Sequence, residues 1–140
     1  MRLLLALGFA CLLAHGFAAP TRLAVVYPLP SVDALDRELA AAKDAADLMV
    51  VKFSQPRCNS CRALAPKFDQ LARGNPRVRC FEVNERTPLG RLVCDANDVQ
   101  ALPTVALYVD GVKAYQDTMQ AKDWAAFLEK VDDSLDAPGP

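Results

Sequence analysis

Leu48-Met49-Val50-Val51-Lys52-Phe53-Ser54-Gln55-Pro56-Arg57-Cys58-Asn59-Ser60-Cys61-Arg62-Ala63-Leu64-Ala65-Pro66 changes character halfway along. Up to Phe53 it is an apolar run broken only by Lys52, the pattern of a strand buried in the middle of a sheet. Gln55-Pro56-Arg57 ends that run. From Cys58 the apolar residues fall at helical spacing, with Leu64, Phe68, Leu71 and Ala72 on one stripe as far as Arg73. Pro66 falls inside this helix and, lacking an N–H, should kink it. Gly74-Asn75-Pro76 stops it. One helical turn brings the two cysteine sulfurs together. Cys58, at the helix start, faces unpaired N–H groups and the positive end of the dipole. Both favour thiolate over thiol, and the thiolate is the nucleophile. Arg57 and Arg62 add positive charge, while Cys61 lies one turn further in and less exposed. This arrangement suits Cys58 to attack a substrate disulfide and Cys61 to resolve the mixed disulfide.

Outward from this stretch, Ser31 or Asp33 can cap a helix carrying Leu35, Leu39, Ala42 and Ala46. On the other side, Val78, Cys80, Phe81 and Val83 mark a second strand. Pro88 opens a short helix to about Asn97, and Leu102 to Val109 reads as a third strand. Asp110-Gly111 is a hairpin turn into Val112–Gln116. Trp124, Phe127, Leu128 and Val131 stripe a last amphipathic helix as core residues. The order predicts an α/β fold, a mixed central sheet with helices on both faces. Leu23 to Tyr27 is either a first strand or an unstructured leader.

A chain of 140 residues has room for one domain with one core, and a monomer is the default at this size. Its 52% hydrophobic and 24% charged residues are those of an ordered globular chain. A net charge of −1, with both signs interspersed, lacks the basic footprint of nucleic-acid binding. At the N-terminus, Arg2, the apolar run Leu3 to Leu13 and the small residues Gly16 and Ala18 have the order of a secretory signal peptide. The run is shorter than the roughly 20 residues of a membrane span, so the mature form should carry no membrane segment. An uncleaved anchor or an N-terminal core helix is the competing reading. Gly16-Phe17-Ala18-Ala19-Pro20-Thr21-Arg22, with no acid before Asp33, resembles the junction of bipartite plastid presequences in algae with complex plastids. The expected organisation is therefore a signal peptide over 1–18, which also fits the first part of such a presequence, and a leader or short transit stretch over 19–30. A folded domain over 31–134 and a flexible tail over 135–140 follow, with Asp132, Asp133 and Asp136 at a solvated end. Entry into the secretory pathway is expected, with a plastid, the ER lumen or the extracellular space as the final site.

The run from Phe53 to Pro66 resembles the active-site segment of thioredoxins, Leu102-Pro103-Thr104 their cis-proline loop, and Asp110-Gly111 their hairpin turn. Spacings agree from about Leu48 to Val131. The resemblance implies a thioredoxin fold and dithiol–disulfide exchange with protein thiols and disulfides; no metal, nucleotide or flavin site is visible in the sequence, so no cofactor is expected. It also implies Cys58 as attacking and Cys61 as resolving cysteine. Pro103, with the Leu102 backbone and Arg57, would line the substrate groove. Cys61 to Lys67 and Leu92-Val93-Cys94 are most similar to the atypical Cys/His-rich plastid group. This implies a peroxiredoxin among the clients and an upstream electron donor, and leaves Cys94 as either an extra redox thiol or an inert neighbour. The single histidine, His15, lies in the presequence.

Several positions depart from that family's pattern. Arg57-Cys58-Asn59-Ser60-Cys61 replaces Trp-Cys-Gly-Pro-Cys, so the aromatic platform is missing and Asn59 and Ser60 should retune the potential. Lys52 stands six residues before Cys58, where thioredoxins usually bury an Asp that helps take the proton from the resolving thiol. Lys52 either snorkels outward from the strand or places its charge near the sulfurs. The second case favours thiolate and a potential above thioredoxin's roughly −270 mV. Two other readings of the cysteines stay open: a structural disulfide without turnover, and a zinc site from Cys58, Cys61, Cys80 and Cys94, which lacks a second Cys-x-x-Cys. Cys80 is expected to be a small buried hydrophobe. The functional alternative is a redox-silent thioredoxin-like module that binds extended peptide through the Pro103 groove.

Overall fold

A computed structural model describes residues 25–137. The readings that concern residues 1–24 and 138–140, the signal peptide and Cys11 included, lie outside the described residues. Five strands form one sheet in the order β1-β3-β2-β4-β5: β1 (Val26–Pro28), β2 (Leu48–Ser54), β3 (Val78–Asn84), β4 (Thr104–Val109) and β5 (Val112–Thr118). β1, β3 and β2 run parallel, while β4 and β5 are antiparallel to their neighbours. The helices are α1 (Val32–Asp44), α2 (Asn59–Gly74), α3 (Pro88–Ala96) and α4 (Trp124–Asp136), with a short 3-10 turn at Ala121–Asp123.

Period-two alternation along β2 sets the two cores. Met49, Val51 and Phe53 point to one face and pack with Leu35 of α1 and Val93 and Cys94 of α3. Leu48 and Val50 point to the other and pack with Leu64 and Phe68 of α2 and Trp124, Phe127 and Val131 of α4. Fully burying one such side chain contributes roughly 1.5–3 kcal/mol, which makes β2, buried along its whole length, the mechanical centre of the domain. The same alternation decides Lys52. It lies on the α2 face of a strand paired on both edges, so the side chain has no open side to snorkel toward and is only 4% exposed.

The local signals act as the sequence reading anticipated, with boundary differences. Ser31 caps α1, its hydroxyl accepting from the Ala34 N–H at 3.2 Å. Thr87 caps α3 and Pro88 occupies its first turn. Asp110 and Gly111 both have positive φ, 51° and 77°, as a tight hairpin turn requires. α2 continues through Pro66. β4 starts at Thr104 and not Leu102, because Pro103 has no N–H for the ladder; its carbonyl accepts from Met119 at 2.8 Å. Val26–Pro28 is a strand in the sheet, so the expected leader over 19–30 gives its last residues to the fold. α4 likewise runs to Asp136, into the expected tail. No helix among the described residues is long and apolar enough to cross a membrane.

The loop that carries Pro103 is tied down by a buried polar link. Asn97, at the end of α3, accepts from the Tyr108 hydroxyl at 2.9 Å and donates to the Val93 carbonyl at 2.9 Å, while Gln116 donates to the Asn97 carbonyl at 2.8 Å. Burial pushes the Tyr108 phenol up to about 12, so it remains a donor across the physiological range.

Candidate active site

β2 delivers the chain to a turn in which the Cys58 N–H donates to the Gln55 carbonyl at 3.3 Å. Cys58 is the N-cap of α2, and its sulfur accepts from the Cys61 N–H at 3.1 Å. Cys58 and Cys61 are joined in a disulfide with their Cα atoms 5.1 Å apart. Cys58 is half-buried and Cys61 buried, the asymmetry expected of an attacking and a resolving position. Arg57, Asn59 and Ser60 are exposed at the tip. The Arg62 guanidinium donates to Asn59 Oδ1, which ties a positive charge to the first turn of α2.

The two bonded sulfurs belong to residues that line different cavities. Cys58 lines one of about 450 Å³ with Gln55, Leu102 and Cys94, walled by Glu85 and Arg91, which form an ion pair. Leu102 is half-buried, Pro103 is buried, and the bond between them is cis. Cys61 lines a second cavity of about 520 Å³ with Lys52, Ser54, Arg62, Asp69 and Glu82. Here Lys52 Nζ lies 3.4 Å from Glu82 Oε1 and 5.1 Å from the Phe68 ring centroid. The Ser54 hydroxyl donates to the same Glu82 oxygen.

The structure thus brings Cys58, Leu102 and Cys94 to one cavity, and Cys61 and Lys52 to the other. Arg57 lines neither. Cys80 and Cys94 are free and buried. Burial pushes the Cys80 thiol up to about 12, helped by Asp69 and opposed by Lys52. It pushes the Cys94 thiol up to about 11, helped by Glu85 and Asp95 and opposed by Arg91. Both are therefore thiols at neutral pH. The four cysteines do not gather as a ligand set, and no group of three or more His, Cys, Asp or Glu among the described residues could hold a metal ion. Sequence reasoning missed Glu82 and Ser54. Glu82 reads as one polar residue in an alternating strand, and only the parallel register that sets it opposite Lys52 reveals the pair.

The family model described as Thioredoxin matches residues 31–133. A thioredoxin of Geodia cydonium is 34% identical over 96 residues, covering 65% of this chain and 84% of that protein. A rice protein named "Thioredoxin-like 1-1, chloroplastic" is 34% identical over 112 residues, covering 74% of this chain but only 38% of its own length. Among solved structures, spinach chloroplast thioredoxin f superposes with a TM-score of 0.70 at 19% identity, covering 80% of this chain and 95% of that one.

Proposed function

The chain belongs to the thioredoxin family, and on that footing we propose that Cys58 attacks client disulfides and Cys61 resolves the mixed disulfide. Thiol–disulfide exchange by a Cys-x-x-Cys pair is the activity the family and the disulfide support. The carrying observation is the geometry of that pair: one sulfur capped by a backbone N–H and half-exposed, the other buried one turn behind it. In the reduced protein, the Cys61 N–H that donates to Cys58 would hold the thiolate charge, as would the helix dipole. The thiolate attacks one sulfur of a client disulfide and expels the other as a thiolate. Cys61 then attacks Cys58, releasing the client's second sulfur and regenerating the intramolecular disulfide. Two electrons pass to the client, and an upstream dithiol donor must return them.

Leu102 and Pro103, beside the Cys58 cavity, are the proposed groove for an extended client strand, with Arg57 at its rim. Cys94 lines the same cavity as a free, buried thiol and is assigned no step in the exchange proposed here. The chloroplast names of the plant relatives and residues 16–22 support a plastid as the site of action. A fluorescent fusion to residues 1–30, expressed in an alga with a complex plastid, tests this: plastid fluorescence supports it, and ER or secreted fluorescence overturns it.

The test of the exchange is insulin-disulfide reduction with dithiothreitol as donor. Acceleration by the full chain should vanish in Cys58→Ser, while Cys61→Ser should accumulate a mixed disulfide with the client. A folded chain that accelerates nothing would turn the assignment toward a redox-silent peptide-binding module.

A further inference from the structure

We propose that Glu82 is the proton acceptor for Cys61 in the resolving step, an inference that rests on the exchange assigned to the Cys58–Cys61 pair. Cys61 is 4% exposed, so its thiol cannot lose a proton freely to bulk water. The cavity it lines contains two carboxylates, Glu82 of β3 and Asp69 of α2. Asp69 is exposed on α2. Glu82 is held from two sides, by the Ser54 hydroxyl and by Lys52 Nζ at 3.4 Å. Both contacts fall on Oε1, leaving Oε2 with neither. The charged and titratable groups around Glu82 are Lys52 of β2, Tyr27 of β1, and Arg62 and Asp69 of α2.

Lys52 cannot be the acceptor while it is an ammonium, since it then has only protons to give. Its burial on the α2 face nevertheless has a use. It fixes Glu82 on the wall of the cavity, and the carboxylate oxygen not engaged by Lys52 and Ser54 is available to a thiol or to a relaying water. In the proposed step the Cys61 proton passes to Glu82 and the Cys61 thiolate attacks Cys58 Sγ. The Cys58–client S–S bond breaks, and the client leaves as a thiolate that is protonated by solvent. Glu82 returns its proton to water once the intramolecular disulfide has formed. No external oxidant is needed, because the client disulfide is itself reduced.

Stopped-flow reaction of the reduced full chain with 5,5′-dithiobis(2-nitrobenzoate) separates the steps. The first release of the chromophore reports attack by Cys58, and the second reports resolution by Cys61. Glu82→Gln should leave the first phase within about twofold and slow the second by about tenfold or more at pH 7. That is less than the roughly 10²–10⁴-fold of a positioned general base, because water in the open cavity can substitute. Glu82→Asp should recover much of the rate, Ser54→Ala should slow the same phase by a smaller factor, and Asp69→Asn should change neither phase. If Glu82→Gln leaves Lys52 unpaired and the protein too unstable to use, Lys52→Met/Glu82→Gln removes both charges and should show the same slow second phase. A second phase unchanged in the Glu82 variants, or slowed instead by Asp69→Asn, overturns the assignment. Loss of the first phase in Cys58→Ser is required by the underlying exchange, so a first phase that survives there refutes the exchange and not the role of Glu82.

Discussion

Replacing the two members of the Lys52–Glu82 pair one at a time should have very different consequences, because their burial differs: 4% side-chain exposure against 42%. At 3.4 Å and an effective dielectric near 20, the gross attraction is about 5 kcal/mol. Most of it offsets the desolvation of the buried ammonium. Lys52→Met removes the ammonium, returns Glu82 to water and leaves an unbranched side chain and a sulfur over the Phe68 ring, so stability should change by no more than about 1 kcal/mol. Glu82→Gln leaves the ammonium buried over the Phe68 ring without its carboxylate partner. Breaking a fully buried pair costs roughly 3–5 kcal/mol. Here the cavity admits water, so about 2–3 kcal/mol is expected. With a urea slope of about 1–3 kcal/mol per molar, the unfolding midpoint of the oxidised chain should fall by about 1–2 M in Glu82→Gln. It should hardly move in Lys52→Met. The double variant should recover most of the loss, which makes the two changes non-additive. Equal costs for the single variants, or additivity in the double, would refute the picture of a buried cation that needs its carboxylate.

Other outcomes can be stated more briefly. A Cβ built on Gly90 would lie 2.0 Å from the Asn84 carbonyl oxygen and 2.6 Å from Thr87 Oγ1, so Gly90→Ala should destabilise by roughly 2 kcal/mol or more, despite alanine's higher helix propensity; thermal unfolding measures this, and a neutral or raised midpoint would contradict it. Iodoacetamide at pH 8 should leave Cys80 and Cys94 unmodified in the native chain and label both after denaturation, as read by peptide mass mapping. Because burial raises both thiols from 9.0 to about 12 and about 11, their contribution to stability is complete below about pH 9 and is lost as the pH climbs through those values, which urea titrations at rising pH should show. The Cys58–Cys61 couple should have a potential above roughly −270 mV, because Arg57 and Arg62 flank the dithiol in sequence while Glu82 offsets Lys52; equilibration with glutathione measures it, and a value at or below that mark would contradict this.

The parts of this fold that were legible in the sequence are those set by local physics. Caps at Ser31 and Thr87, the turn at Asp110-Gly111 and the helical stripe of Leu64 and Phe68 all depend on residues a few positions apart. The dithiol was legible for the same reason, since three residues of helix bring its sulfurs together. What escaped was non-local. Lys52 looked like an interruption in a strand until β3 and β4 closed both edges and α2 covered its face. Glu82, thirty residues further on, was one polar position in an alternating strand, and the parallel register alone sets it opposite Lys52. The acid that the resemblance implied at position 52 is absent, and a carboxylate stands across the strand boundary in its stead.

This displacement bears on how the active site divides its work. Two residues between the cysteines place Cys58 at the cap and Cys61 one turn inward, and the positions open on separate cavities. The Cys58 side is lined by Leu102 and Ala101, backbone that precedes β4 and suits an extended client. The Cys61 side is lined by charges from β2, β3 and α2, and suits the holding and movement of a proton. A carboxylate on β3 can therefore change without touching the proposed client surface, and Leu102 can change without touching the proposed proton path. Substitutions at Leu102 should accordingly alter the first phase of disulfide exchange, and substitutions at Glu82 or Ser54 the second. Combined across the two cavities, their effects on the logarithm of each rate should add, because no residue lines both except Gln55. Gln55, whose carbonyl receives the Cys58 N–H at 3.3 Å, is the position where that separation should fail.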